Sequence, residues 1–215
     1  MNESKEHLPE VVVFAGPNGS GKSTITELLK PNHIDYINAD EIKRTLNCTD
    51  LEAAQIATRQ REEHVENKKE FCFETVMSTD RNLKLLQKAR VEGFFIRTYI
   101  VVTANSGINI ERVKGRVEAG GHDVPTEKIV SRYKRSLALI KDVVAISHVC
   151  NIYDNSLTCP TRFFNKKVNR YFYEETPLWP LHAIKDITGV SVIKQRNLNL
   201  NNPFMNLKFL NRIRH

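Results

Sequence analysis

The segment that most constrains this chain runs from Val11 to Leu29, VVVFAGPNGSGKSTITELL. An apolar run with three consecutive valines passes directly into a glycine-rich loop and then into a segment fit for a helix. A short β-branched run bounded by glycine reads as a strand buried on both faces, the environment of a parallel sheet. Gly16, Gly21, Lys22 and Ser23 satisfy the spacing G-x-x-x-x-G-K-[ST], with Pro17, Asn18, Gly19 and Ser20 between the two glycines. In such a loop successive backbone amides point inward, the glycines let phosphate oxygens approach closely, and the helix amino end adds partial positive charge. Lys22 is expected to reach the β and γ phosphates, Ser23 to bind magnesium, and Thr24 to touch the α phosphate. The Asn-Lys-x-Asp guanine signature is missing, since NKKV at Asn165 lacks the aspartate, so ATP is favoured over GTP.

The rest of the chain alternates in the same manner. Strands are expected over 33–40, 71–74, 94–102, 148–154 and 162–174, and helices over 22–29, 49–70, 79–92 and 106–119, with another opened by Pro125. Thr49 and Glu52 stand at capping-box spacing. Ile129, Tyr133, Leu137 and Ile140 recur at helical spacing as an inward stripe. This alternation implies βαβ units around a mainly parallel sheet covered on both faces, with the site beyond the carboxyl ends of the strands. One main domain is expected over 11–180, with an extension at 1–10 and another at 181–215, whose asparagine-rich, basic end from Gln195 to His215 suggests no role.

Phosphoryl transfer needs cations to spread charge and a group to aim the nucleophile, which directs attention to the other strand ends. Asp40, at the end of the second expected strand, is either a base that takes the proton of an acceptor hydroxyl or the N-cap of the following helix. Glu74, followed by Thr75, ends FCFE and is either a substrate or metal-water contact or a solvated strand end. Arg112 and Arg116 share a helix face, and Arg132 and Arg135 lie on the next helix beyond AGGHDVP. Together they read as a lid over 106–141 that closes positive charge over the phosphate, or, singly, as a solvated basic face.

The net charge of +7 suits an anionic partner without choosing among nucleotides, sugar phosphates and nucleic acid. No basic run interleaved with aromatics occurs, so nucleic acid is disfavoured, although a nucleic-acid end kinase stays open as an alternative. A nucleotide-gated binding module without catalysis is the other. The first ten residues are polar and no apolar run approaches the ~18 residues of a membrane span, so no membrane association and a cytoplasmic location are expected. Among the four cysteines there is no C-x-x-C pair, and Cys72 and Cys150 fall in strand-like stretches that suit buried reduced thiols.

FAGPNGSGKST, Asp40 in INADEIKR, Glu74 in FETVMST, ERVKGRVEAGGHDVP with SRYKRSL, and IYDNS resemble, in order and spacing, the zeta toxin type of P-loop kinase. The likeness covers about Val11 to Trp179. It implies a P-loop three-layer α/β/α sandwich with a helical lid, and an ATP- and magnesium-dependent kinase acting on a small-molecule hydroxyl. In the toxins the acceptor is UDP-N-acetylglucosamine and the partner is a small helical antitoxin. It places Lys22 and Ser23 at phosphate and magnesium, Asp40 as base, Glu74 at substrate and Arg112 as the first of two arginines on the γ phosphate. By simple spacing the second falls near His122, where this chain departs from the pattern, so Arg116 or an arginine of the following helix is expected to stand in for it.

Overall fold

Val11, Val12, Val13 and Phe14 are fully shielded from solvent, because β1 (Glu10–Ala15) runs between parallel neighbours and is covered on both faces. The computed structural model describes residues 8–195; the basic tail beyond them and the first seven residues lie outside. After β1 come α1 (Lys22–Leu29), β2 (Asp35–Tyr36), α2 (Ala39–Leu46), α3 (Asp50–Glu66) and β3 (Phe71–Thr75). Then follow α4 (Arg81–Val91), β4 (Phe95–Val102), α5 (Ser106–Glu118), α6 (Thr126–Ile146) and β5 (Val149–Asp154). The chain continues with β6 (Thr161–Lys167), β7 (Arg170–Tyr173), α7 (Leu181–Thr188) and β8 (Lys194–Gln195).

The strands form one sheet in the order β2-β3-β1-β4-β5-β6-β7-β8. Pairing is parallel from β2 through β5, antiparallel across β5-β6-β7, and parallel again between β7 and β8. Alternate residues of β1 and β3 face opposite layers. Val11, Val13, Phe71 and Phe73 join Ala57 and Val65 of α3, Leu86 of α4, Ile140 and Val143 of α6 and Ile184 of α7 in the larger core. Val12, Phe14 and Cys72 pack with Ile25 of α1 in the smaller one. This is the expected α/β sandwich with a mainly parallel sheet.

Local signals explain several boundaries. Thr49 and Glu52 form the capping box of α3, with Thr49 N donating to Glu52 Oε2 at 2.8 Å and Glu52 N donating to Thr49 Oγ1 at 3.3 Å. Cys72 and Cys150 are buried in β3 and β5. The stripe on α6 is inward, with Ile129, Tyr133 and Ile140 buried.

Three expectations are corrected. The strand over 33–40 shrinks to two residues, Asp35–Tyr36, because it is an edge that only β3 pairs. The single strand over 162–174 is a hairpin, turning at Val168 and Asn169, with Val168 at φ 54. A β-branched residue in the left-handed region carries no turn signal in sequence. Past Trp179, where the pattern fades, α7 continues the packed body: Ile184 is fully buried, and Trp179 stacks on Phe163 at 4.6 Å.

Candidate functional site

The loop after β1 has the backbone its glycines permit. Gly16, Gly19 and Gly21 have φ of 151, 76 and 86. A Cβ on Gly16 would stand 2.1 Å from Val101 O, one on Gly19 2.5 Å from Asn109 O, and one on Gly21 2.2 Å from Asn155 Nδ2. Any side chain at these positions therefore meets backbone or a fixed amide, in conformations L-residues avoid. Gly16 N donates to Thr75 O at 3.2 Å, which ties the loop's entrance to the end of β3. Gly21 caps α1 without a side-chain bond, leaving the helix amino end open toward the cradle. Ser20 Oγ is buried with no hydrogen-bond partner among the described residues.

Lys22 and Ser23 open α1, and Glu74 reaches them from β3. Ser23 Oγ donates to Glu74 Oε2 at 3.2 Å, while Tyr36 Oη donates to Glu74 Oε1 at 3.1 Å and itself accepts from Asn38 Nδ2 at 2.6 Å. Both carboxylate oxygens are thus aimed by neutral hydroxyls. Burial holds the Lys22 ammonium below its ordinary pKa, opposed by Glu74; the nearby Arg116 charge lowers it further and Asp40 raises it. Glu74, Asp40 and Arg116 are therefore each within electrostatic reach of Lys22. Burial likewise raises the Tyr36 phenol, so it acts as a neutral donor. Thr75 Oγ1 accepts from Met77 N at 2.9 Å and Asn82 Nδ2 at 2.8 Å, which leaves its own proton free to donate. Buried Met77, at φ 51, makes the turn that carries the chain away from Glu74.

Asp40 does not end a strand; it lies in the first turn of α2, and the cap is Asn38, whose Oδ1 accepts from Asp40 N at 2.7 Å and Glu41 N at 3.4 Å. With the capping role taken by Asn38, the Asp40 carboxylate is exposed and lines a cleft of about 580 Å³ with Lys43, Arg44, Asn47, Cys48 and His122. His122 thus shares the cleft of Asp40. Arg112 on α5 is half-buried, and its buried Nη1 has no hydrogen-bond partner among the described residues. Arg116 is exposed and donates from Nη2 to His122 O at 2.7 Å.

Several residues of the site lack a sequence signal. Asn109 of α5 is buried; its Nδ2 donates to Asn18 O at 2.6 Å, and its Oδ1 accepts from the Thr103 hydroxyl. Asn155 Nδ2 donates to Ser20 O at 2.8 Å. Tyr36 and Asn38 orient Glu74 from an edge strand. Asn109, Asn155 and Tyr36 are ordinary polar residues whose partners lie far along the chain.

The buried strand, left-handed glycine cradle and lysine-serine helix start, set in this strand order, define a P-loop α/β protein. The family model for zeta toxins matches residues 2–168, and the chain belongs to the zeta toxin family. An uncharacterized protein of Haemophilus influenzae is 25% identical over 129 residues, covering 58% of this chain and 92% of its own. Among solved structures, the AvrRxo1-ORF1:AvrRxo1-ORF2 complex with sulphate ions matches at TM-score 0.65 with 14% identity, over 86% of this chain. This chain spans 65% of the length of that one. The same complex has been solved with ATP. The PezAT chromosomal toxin-antitoxin system of Streptococcus pneumoniae matches at TM-score 0.58 and 14% identity, over 97% of this chain and 88% of its own. At such identities these structures share the fold. Among the described residues no helix is long and apolar enough to cross a membrane.

Proposed function

We propose that the protein is an ATP-dependent phosphotransferase that moves the γ-phosphoryl group to a hydroxyl of a small molecule, with a nucleotide sugar such as UDP-N-acetylglucosamine as the toxin-type acceptor. The observation that carries this reading is the convergence on one loop of Lys22, Ser23 and Glu74, with the Asp40 cleft beside them. A binding module needs the cradle alone; a free carboxylate within electrostatic reach of the phosphate lysine is what transfer adds.

In the proposed reaction an acceptor hydroxyl in the cleft gives its proton to the Asp40 carboxylate. Its oxygen forms the new bond to the γ phosphorus, and the bond from that phosphorus to the β–γ bridging oxygen breaks, leaving ADP. The loop from Gly16 to Thr24 holds the nucleotide, and Lys22, Arg112 and Arg116 face the charge of the transferring group. Ser23, with Glu74 through water, fits a magnesium ion: both present oxygen donors, and Glu74 is already aimed at the Ser23 hydroxyl. Magnesium there would supply charge neutralisation on the phosphates. Glu74 and Thr75 also face the acceptor, one accepting and one donating.

That PezAT is a toxin-antitoxin system supports a small antitoxin as partner. The test is incubation of the protein, Lys22→Ala and Asp40→Ala with labelled ATP and a metabolite extract, followed by mass spectrometry. The expected result is a phosphorylated metabolite made by the native protein alone, with nucleotide binding retained in Asp40→Ala. Full transfer by Asp40→Ala would remove the base from the mechanism.

A further inference from the structure

We infer that Arg132 of α6 contacts the terminal phosphate of the bound nucleotide and is a catalytic residue in its transfer. This rests on the phosphotransferase reading and assigns to one residue a role that motif spacing and family likeness leave open among several lid arginines.

Arg132 Nη1 donates to Asn18 Oδ1 at 3.3 Å, a link across 114 residues between the lid helix and the middle of the phosphate loop. The guanidinium is half-buried, and among the described residues no carboxylate forms an ion pair with it. A cation in that position has a neutral amide as its acceptor. Its place is fixed from below: Tyr133, the next residue, is buried and donates its hydroxyl to Thr103 O at 2.7 Å, just past the end of β4. Thr103 in turn donates to Asn109, which donates to the main-chain oxygen of Asn18. One network therefore holds the Asn18 main chain through α5 and the Asn18 side chain through α6.

Asn18 belongs to the run of loop amides that receives phosphate oxygens, so a terminal phosphate arrives beside the atom Arg132 already touches. Guanidinium bonds to anionic phosphate oxygens are shorter and roughly twice as strong as those between neutral groups, and the planar fork engages two oxygens at once. A phosphate in place of the neutral Asn18 amide would give that guanidinium an oppositely charged partner. Arg116 is less free for this duty. Its Nη2 is committed to His122 O, and its stem packs on Gly121, where a Cβ would come within 2.6 Å of Arg116 Cγ. Arg112, with its unpartnered buried Nη1, lies on α5, and Arg132 reaches the loop from α6.

The test measures binding of magnesium ADP alone and of magnesium ADP with aluminium fluoride, a mimic of the transferring phosphoryl group. The proteins are the native chain, Arg132→Ala, Arg132→Lys and Lys134→Ala, the last an exposed neighbour on α6. Arg132→Ala is expected to keep ADP affinity within about twofold and to lose roughly 100-fold of the aluminium fluoride complex, the scale of one preorganised transition-state donor. Arg132→Lys should restore only part of it, and Lys134→Ala should show none of the loss. An unchanged fluoride complex in Arg132→Ala, beside a native protein that forms it, overturns the assignment of Arg132 and leaves the kinase reading standing. A native protein that binds ADP but gains nothing from aluminium fluoride overturns both.

Discussion

The Ser23 hydroxyl donates to Glu74 Oε2 at 3.2 Å, so the residue that opens the helix after the phosphate loop is joined to the end of a neighbouring strand 51 residues away. The other oxygen of Glu74 is held by Tyr36, so both carboxylate oxygens are engaged. Glu74→Ala should therefore lower phosphoryl transfer by about 10- to 100-fold, as expected for a group that orients a metal site, and raise the magnesium concentration needed for half-maximal rate. Initial rates across a magnesium titration check this. Tyr36→Phe, which keeps the ring and removes one donor, should show a smaller shift of the same kind.

Lys22 carries a charge whose largest environmental effect is the cost of burial. Lys22→Met removes that charge, so the melting temperature without nucleotide should not fall below the native value. Saturating ATP at about 100 times its Kd adds about 2.7 kcal/mol to a binding protein, or roughly 5–10 °C at this chain length. The native protein should show this rise and Lys22→Met should lose it. Thermal scans with and without magnesium ATP measure both.

Ile184 lies in α7, within the stretch set apart in the sequence as an extension, yet it is fully buried in the larger core. Ile184→Ala should cost about 2–5 kcal/mol, the range for truncating a buried isoleucine. A chain ended at residue 180 should fail to fold cooperatively. Denaturant unfolding of the variant and of the shortened chain decides whether residues 181–195 are part of the folding unit.

His148 precedes β5, and its Nδ1 accepts from Ile96 N at 3.0 Å, a bond that only the unprotonated nitrogen can make. Burial, with Arg90 and Lys166 nearby, holds its pKa below the ordinary 6.5. The unfolded chain then binds a proton more readily than the folded one. This contribution to stability is present above about pH 6.5 and is lost as pH falls toward the folded value. Melting temperature should decline from pH 7.5 to 5.5 more steeply in the native protein than in His148→Gln.

The amino-acid sequence alone determined the features set by neighbours along the chain. The triple valine before the glycines, the G-x-x-x-x-G-K-S spacing and the Thr49–Glu52 box each depend on residues within a few positions, so the strand, the cradle and the α3 start were legible. Where an element depends on what packs against it, the sequence misled. A hairpin turn passes through Val168, which no turn preference marks. Only the tertiary structure decided which polar side chains serve the loop. Asn109, Arg132 and Asn155 meet Asn18 and Ser20 across 91, 114 and 135 residues. An isolated asparagine or arginine looks the same on a solvated surface as in a site, and the difference is made by burial and by the partner that folding brings to it.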